Sequence, residues 1–197
     1  MIFGIKQIIK MLFQQLILPV VYNACTAKPV IPGTVILADA HHDEIPFSML
    51  AIKEELSRHI GSGRHCRIAE LAAIFTFCGS LEAGTDGKKS LRIQTENEAL
   101  SRKGFTLLQK TFNIELMRVY KGNGYALELN EQDTKTVLQA IELSEGEPLE
   151  NCVADSRLLL RNCCRRAFVR GCFLASGSIS APQKGYHFEI VTVSEKR

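Results

Sequence analysis

The sequence predicts an α+β fold built as a pseudo-symmetric duplication, with two central helices and β-sheets on one side of them. Three observations carry this. Two nine-residue apolar windows, Leu71–Gly79 (LAAIFTFCG) and Val169–Gly177 (VRGCFLASG), read as helices ending in glycine. They lie about 98 residues apart. Each is followed by segments of alternating polarity that read as strands. A chain of 197 residues, 46% of them hydrophobic, has room for one or two domains with a real core. Its net charge of +3 permits a nucleic-acid partner without arguing for one.

The elements follow in order. Residues 1–22 show helical periodicity with lysines and glutamines spread through the apolar positions, which spoils both a transmembrane span and a secretory signal. The segment suits an amphipathic helix lying on a membrane or a partner, or equally a helix packed on its own domain. Pro29, Pro32 and Gly33 break it; Thr34–Ala38 reads as a short strand and Asp39–Phe47 as a polar turn, placing a boundary near residue 47. Ser48 is a candidate cap for a helix through Lys53-Glu54-Glu55-Leu56 to about Ile60, closed by Gly61-Ser62-Gly63. The helix from about Cys66 to Cys78 is apolar after Glu70 and must be buried on most sides.

Leu91–Thr95 alternates as a half-buried strand does, and Glu96 to Phe112 reads as an amphipathic helix with Leu100, Phe105, Leu108 and Phe112 inward. Ile114–Tyr120 and Tyr125–Leu129 read as strands joined by a Lys121-Gly122-Asn123-Gly124 turn. A helix follows over Thr134–Leu143. In the second half, a helix from about Asp155 leads through Cys163-Cys164-Arg165-Arg166 into the second window. Ser178–Ser180 and Tyr186–Val193 then read as strands. The halves are about 48–145 and 146–197, the second shorter and incomplete, after an extension over residues 1–47.

Seven cysteines without a CxxC pair offer no zinc-ribbon spacing, and several sit in apolar runs as small hydrophobes. Buried thiols of a cytoplasmic protein are expected, with no metal and no cofactor. His41-His42-Asp43-Glu44 reads as a polar loop, because adjacent residues in an extended segment point opposite ways. His187 reads as an exposed or satisfied imidazole. Arg157, Arg161 and Arg165 recur every four residues, with Arg166 and Arg170 following, and with Lys184 they form either a phosphate-contacting surface or a solvated face. Arg92 and Arg118 are the strand-borne candidates for the same role. Ala72, Ala73, Gly171 and Ala175 allow close helix approach, and Gly79 and Gly177 suit helix C-termini with positive φ.

Both windows overlay without gaps on the LAGLIDADG helix of homing endonucleases, and the chain resembles that fold. In that family the eighth residue of each helix is an acid that holds a metal over DNA; here those positions are Cys78 and Ser176. Neither supplies the oxygen charge that hard cations need, nor does Thr76, and Glu82, Asp86 and Glu189 are poorly placed substitutes. An enzyme is therefore not expected.

A wider set of segments is similar to the WhiA family of bacterial regulators. These are Lys53–Arg58 (KEELSR), Cys66 with Ala69–Ala73 (AELAA), Gln94–Asn97 (QTEN), Cys163–Phe168 (CCRRAF), Arg170–Ser178 (RGCFLASGS) and Tyr186–Glu189 (YHFE). Residues 1–47 fall outside this resemblance, and Val35–Met49 resembles the start of CDP-glycerol glycerophosphotransferases. The WhiA resemblance implies transcription control linked to sporulation and cell division, and a carboxy-terminal helix-turn-helix domain that the sequence to Arg197 does not reach. The expected partners are DNA, bound weakly or without sequence preference, and other regulatory proteins, with membrane contact by residues 1–22 a further option. The alternative is an interaction scaffold or membrane-associated adaptor without specific DNA binding.

Overall fold

In a computed structural model of the chain, residues 49–83, 88–116, 118–121, 124–142, 157–179 and 188–191 are described. The amphipathic helix of residues 1–22, the strand at 34–38, the His41-His42 loop and the glycerophosphotransferase-like segment up to Ser48 lie outside them. So do Asp86, Lys184 and His187.

Helix α1 (Met49–Arg58) buries Ile52 and Leu56, four apart on one face. After the Gly61–Gly63 loop comes α2 (Arg64–Cys78), whose residues Ile68 to Phe75 are all buried. The chain then enters β1 (Gly79–Ala83) and β2 (Lys89–Thr95). Helix α3 (Glu98–Phe112) is capped by the Asn97 side chain, which accepts from the amides of Ala99 and Leu100. It ends on Asn113, held left-handed at φ 57°. Its buried face runs through Leu100, Lys103, Gly104, Leu107, Leu108 and Thr111; Phe105 and Phe112 are only half-buried, so the inward stripe is rotated from the expected one.

Strands β3 (Arg118–Lys121) and β4 (Gly124–Glu128) form the anticipated hairpin, and α4 (Glu131–Ala140) follows, capped by Asn130. A 3-10 turn at Arg157–Leu159 leads to α5 (Asn162–Ser176), β5 (Gly177–Ile179) and β6 (Phe188–Ile190).

Among the described residues, two antiparallel sheets result: one of four strands in the order β1-β2-β4-β3, and one pair, β5-β6. Register gives each sheet an inner and an outer face. Leu91, Ile93 and Leu127 point into the core, with Ile93 opposite Leu127, while Arg92 stands opposite Glu128 and Ser80 on the outer face. Thr134 of α4 closes the β2 end of the sheet: its buried hydroxyl accepts from the Leu91 amide at 2.9 Å. Strand β1, which sequence periodicity did not reveal, is a short Gly-Ser-Leu-Glu-Ala run paired with β2. The same helix-then-strand order at α2-β1 and α5-β5 makes the duplication visible. In each half, a helix ends directly in a strand-opening glycine.

A paired-helix candidate nucleic-acid interface

Helices α2 and α5 run side by side in the same direction. His65 meets Cys163 in their first turns, and Ala73 meets Gly171 further along, both pairs separated by 98 residues. The approach is close enough that a Cβ on Gly171 would lie 2.8 Å from the Ala73 Cβ and 2.8 Å from the Glu70 carbonyl oxygen. Ala72 and Ala73 are fully buried beside this contact, and Ala175 is half-buried.

The two terminal glycines behave differently from expectation. Gly79 has φ −87° and ψ 148°, and Gly177 has φ −80° and ψ 149°, so both are extended rather than left-handed. The chain leaves each helix straight into a strand, and this geometry needs no positive φ. Gly177 is instead demanded by space, because a Cβ there would fall 2.2 Å from the Phe173 ring and 2.7 Å from its carbonyl oxygen.

At the C-terminal ends of the pair stand Cys78 and Ser176, both half-buried. Burial pushes the Cys78 thiol up to about 11, so it is neutral at physiological pH. The Ser176 hydroxyl donates to the Cys172 carbonyl at 3.5 Å, and the Thr76 hydroxyl to the Ala72 carbonyl at 2.8 Å. The sequence reading missed Lys53 here. From α1 its ammonium lies 5.8 Å above the Phe173 ring and within Coulombic reach of Cys78, and its pKa is lowered by burial. A cation thus stands near the neutral Cys78 thiol, at the end where carboxylates would hold a metal.

The middle of the pair is held by charge. Arg170 grips Glu70 with two bonds of 2.7 Å, Nε to Oε1 and Nη2 to Oε2. Lys103 of α3 reaches Glu70 Oε1 at 3.0 Å and also donates to the carbonyls of His59 and Leu56. Glu70 and the Lys103 side chain are wholly inaccessible, and Arg170 nearly so. Burial lowers the Lys103 pKa, opposed by Glu70. Arg170 therefore belongs to the core and not to a basic surface. A lone Glu at the start of an apolar helix was the signal for this cluster. Its partners, 33 and 100 residues away, were not readable from spacing.

The remaining basic candidates are scattered. Arg157 sits in the 3-10 turn, exposed, 3.6 Å from Glu142. Arg161 is the extended residue before α5, at φ −91° and ψ 138°. Arg165 turns its Nε to the Leu159 carbonyl at 2.7 Å. The spacing of four aligns these side chains only on a continuous helix, and the chain breaks at residues 160–161, so they do not share a helical face. Arg166 is exposed. Arg92 pairs across strands with Glu82 at 3.0 Å, with its side chain only 14% exposed. Arg118 occupies the register position opposite Leu127.

At the opposite, N-terminal end of the helix pair, His65, Cys66, Cys163 and Cys164 bring their ligand atoms within 4.8 Å of one another. The Cys66 thiol hydrogen-bonds Cys163 and lowers its pKa, while desolvation pushes Cys66 itself up to about 12. The absence of CxxC spacing hid this cluster from the sequence reading. The 98-residue repeat, which pairs His65 with Cys163 and Cys66 with Cys164, was the available signal.

Comparison with known proteins agrees with this architecture. Residues 64–144 match the WhiA N-terminal LAGLIDADG-like domain and residues 165–197 match the WhiA LAGLIDADG-like domain, together more than half of the chain. A probable cell division protein WhiA of Lachnoclostridium phytofermentans is 42% identical over 151 residues, 71% of this chain and 48% of that protein. The one of Desulforamulus reducens is 39% identical over 155 residues, 73% of this chain and 48% of that protein. The chain thus spans about half the length of the curated relatives it matches. The crystal structure of full-length DUF199/WhiA from Thermatoga maritima superposes with a TM-score of 0.51 at 21% identity, over 74% of this chain and 45% of that one, a likeness of fold. With its two matched domains, its duplicated helix-strand units and the paired α2 and α5, the chain belongs to the WhiA family.

Proposed function

We propose that this chain is a non-catalytic DNA-contacting domain of a regulator tied to cell division, binding duplex weakly and without sequence preference. One observation carries the reading. The ends of the paired helices hold Cys78, Ser176 and Lys53, a neutral thiol, a hydroxyl and a cation, where phosphodiester cleavage would need carboxylates on a hard metal. The neutral thiol and hydroxyl offer no charge to a hard cation, and the Lys53 ammonium opposes its approach. The outer sheet face supports weak rather than tight contact. Arg92 on it is already engaged by Glu82, and Glu128 stands beside it in register. Few phosphates can be neutralised by such a surface, so affinity should be low and fall with salt. The relatives bear the name of a cell division protein, which supports the cellular setting.

The test is fluorescence anisotropy of this chain with two unrelated duplexes across a salt series, run beside a supercoiled-plasmid assay with Mg²⁺. Weak binding, equal on both duplexes and lost with salt, is expected, with the plasmid intact. Tight discrimination between duplexes, or nicking abolished by chelator, would overturn the reading.

A further inference from the structure

We propose that His65, Cys66, Cys163 and Cys164 form a Cys3His site for Zn²⁺ that clasps the first turns of α2 and α5. A tetrahedral site of three thiolates and one imidazole is a common structural zinc set. The distances suit it. With Zn–S of about 2.3 Å and Zn–N of about 2.0–2.1 Å, the N···S edge of a tetrahedron is about 3.5–3.6 Å and the S···S edge about 3.8 Å. The observed His65 Nε2 to Cys163 Sγ separation is 3.5 Å, and all four ligand atoms lie within 4.8 Å.

The surroundings hold the ligands in place. The Gly61–Gly63 loop folds against them: a Cβ on Gly63 would lie 2.6 Å from the His65 ring, and one on Gly61 3.1 Å from the Cys66 Cβ. Arg67 pins that loop through the carbonyls of Gly61 at 3.1 Å and Ser62 at 2.7 Å. His65 and Cys163 are solvent-exposed, which leaves an entry path, while Cys164 is buried and Cys66 half-buried. Binding releases the three thiol protons to solvent, and the site then carries one net negative charge. Both ligand pairs sit in helix first turns, where the backbone amides and the helix dipole favour negative charge.

Each half contributes one adjacent pair of ligands at equivalent positions, so the metal joins the two halves across the pseudo-symmetry axis. The clasp lies at the end of the helix pair away from Cys78 and Ser176, about 20 Å distant by the rise of a 15-residue helix. It is therefore a structural site, separate from the helix ends that carry Cys78 and Ser176.

The test uses the whole chain, purified under reductant. Elemental analysis should find one zinc per chain. Co²⁺ titration should give the intense visible bands of a tetrahedral centre together with sulfur-to-cobalt charge transfer. Cys66→Ser, Cys163→Ser and Cys164→Ser should each weaken Zn²⁺ binding at least tenfold in competition with a chromophoric chelator, while Cys172→Ala should not. A second readout on the unmutated chain covers variants that fail to fold. Added Zn²⁺ should protect Cys66 and Cys163 from alkylation and leave the rate at Cys78 unchanged. Substoichiometric zinc, cobalt spectra indifferent to the cysteine changes, or a Cys66–Cys163 disulfide in glutathione buffer that Zn²⁺ does not prevent would each overturn the proposal.

Discussion

Glu70→Gln should be among the most damaging conservative changes in this chain. The substitution keeps the volume and removes the single anion between two buried cations, Arg170 and Lys103. Breaking a buried pair by removing one partner costs about 3–5 kcal/mol, because the remaining charge stays desolvated. With a urea m-value of about 2 kcal/mol per molar, the unfolding midpoint should fall by about 1.5–2.5 M at unchanged m.

The cluster also predicts an order among its members. Lys103→Met leaves the two-bond Glu70–Arg170 pair intact and neutral but loses the Lys103 contact to Glu70 and the donor to the His59 and Leu56 carbonyls, so its cost should be about 1–3 kcal/mol, below that of Glu70→Gln. Arg170→Met leaves the Glu70–Lys103 pair and should fall between. Replacing all three with Leu or Met should recover most of the stability lost in Glu70→Gln, since apolar replacement of a whole buried ionic cluster is often neutral or better. Equilibrium urea unfolding followed by circular dichroism measures each variant. A midpoint shift under about 0.5 M for Glu70→Gln, or a triple variant worse than it, would refute the argument that the cluster is held by mutual charge compensation.

Three further outcomes follow from packing and charge. Gly171→Ala should destabilise by about 1–3 kcal/mol through overpacking against Ala73, and Gly177→Ala by at least as much against Phe173, although its φ of −80° suits alanine; thermal unfolding of both variants checks this. Asn97→Ala should cost about 1 kcal/mol by uncapping α3, and Thr134→Val about 1–3 kcal/mol by orphaning the buried Leu91 amide, both read from urea midpoints. Desolvation, with Arg170 and Lys103 nearby and Glu70 opposing them, lowers the His59 pKa below its ordinary 6.5. The unfolded chain then binds more protons below neutrality, so stability present above about pH 6.5 should be lost as pH falls toward the folded pKa. His59→Gln should flatten that part of the stability-against-pH curve.

Local sequence determined the helices and their order because apolar periodicity and capping are short-range signals. The apolar run from Leu71 to Cys78 could only be a buried helix, and the Gly-Asn-Gly turn announced a hairpin, whereas the caps at Asn97 and Asn130, and with Asn130 the start of α4 at Glu131 rather than Thr134, came only with the structure. The repeat of about 98 residues, read against the two windows, also exposed the duplication and the replacement of both acids. Tertiary structure decided what each side chain is for. Spacing of four made Arg157, Arg161 and Arg165 look like one face, but a break at residues 160–161 dispersed them. Arg170 looked like the next basic surface residue and became a core cation, because Glu70 comes to it from another helix. Lys53 entered the helix-end site from α1. Four metal-ligating side chains without motif spacing met only when α2 and α5 packed in register. Periodicity reports the environment of a single element, whereas a site depends on distances between elements, and those are set by packing.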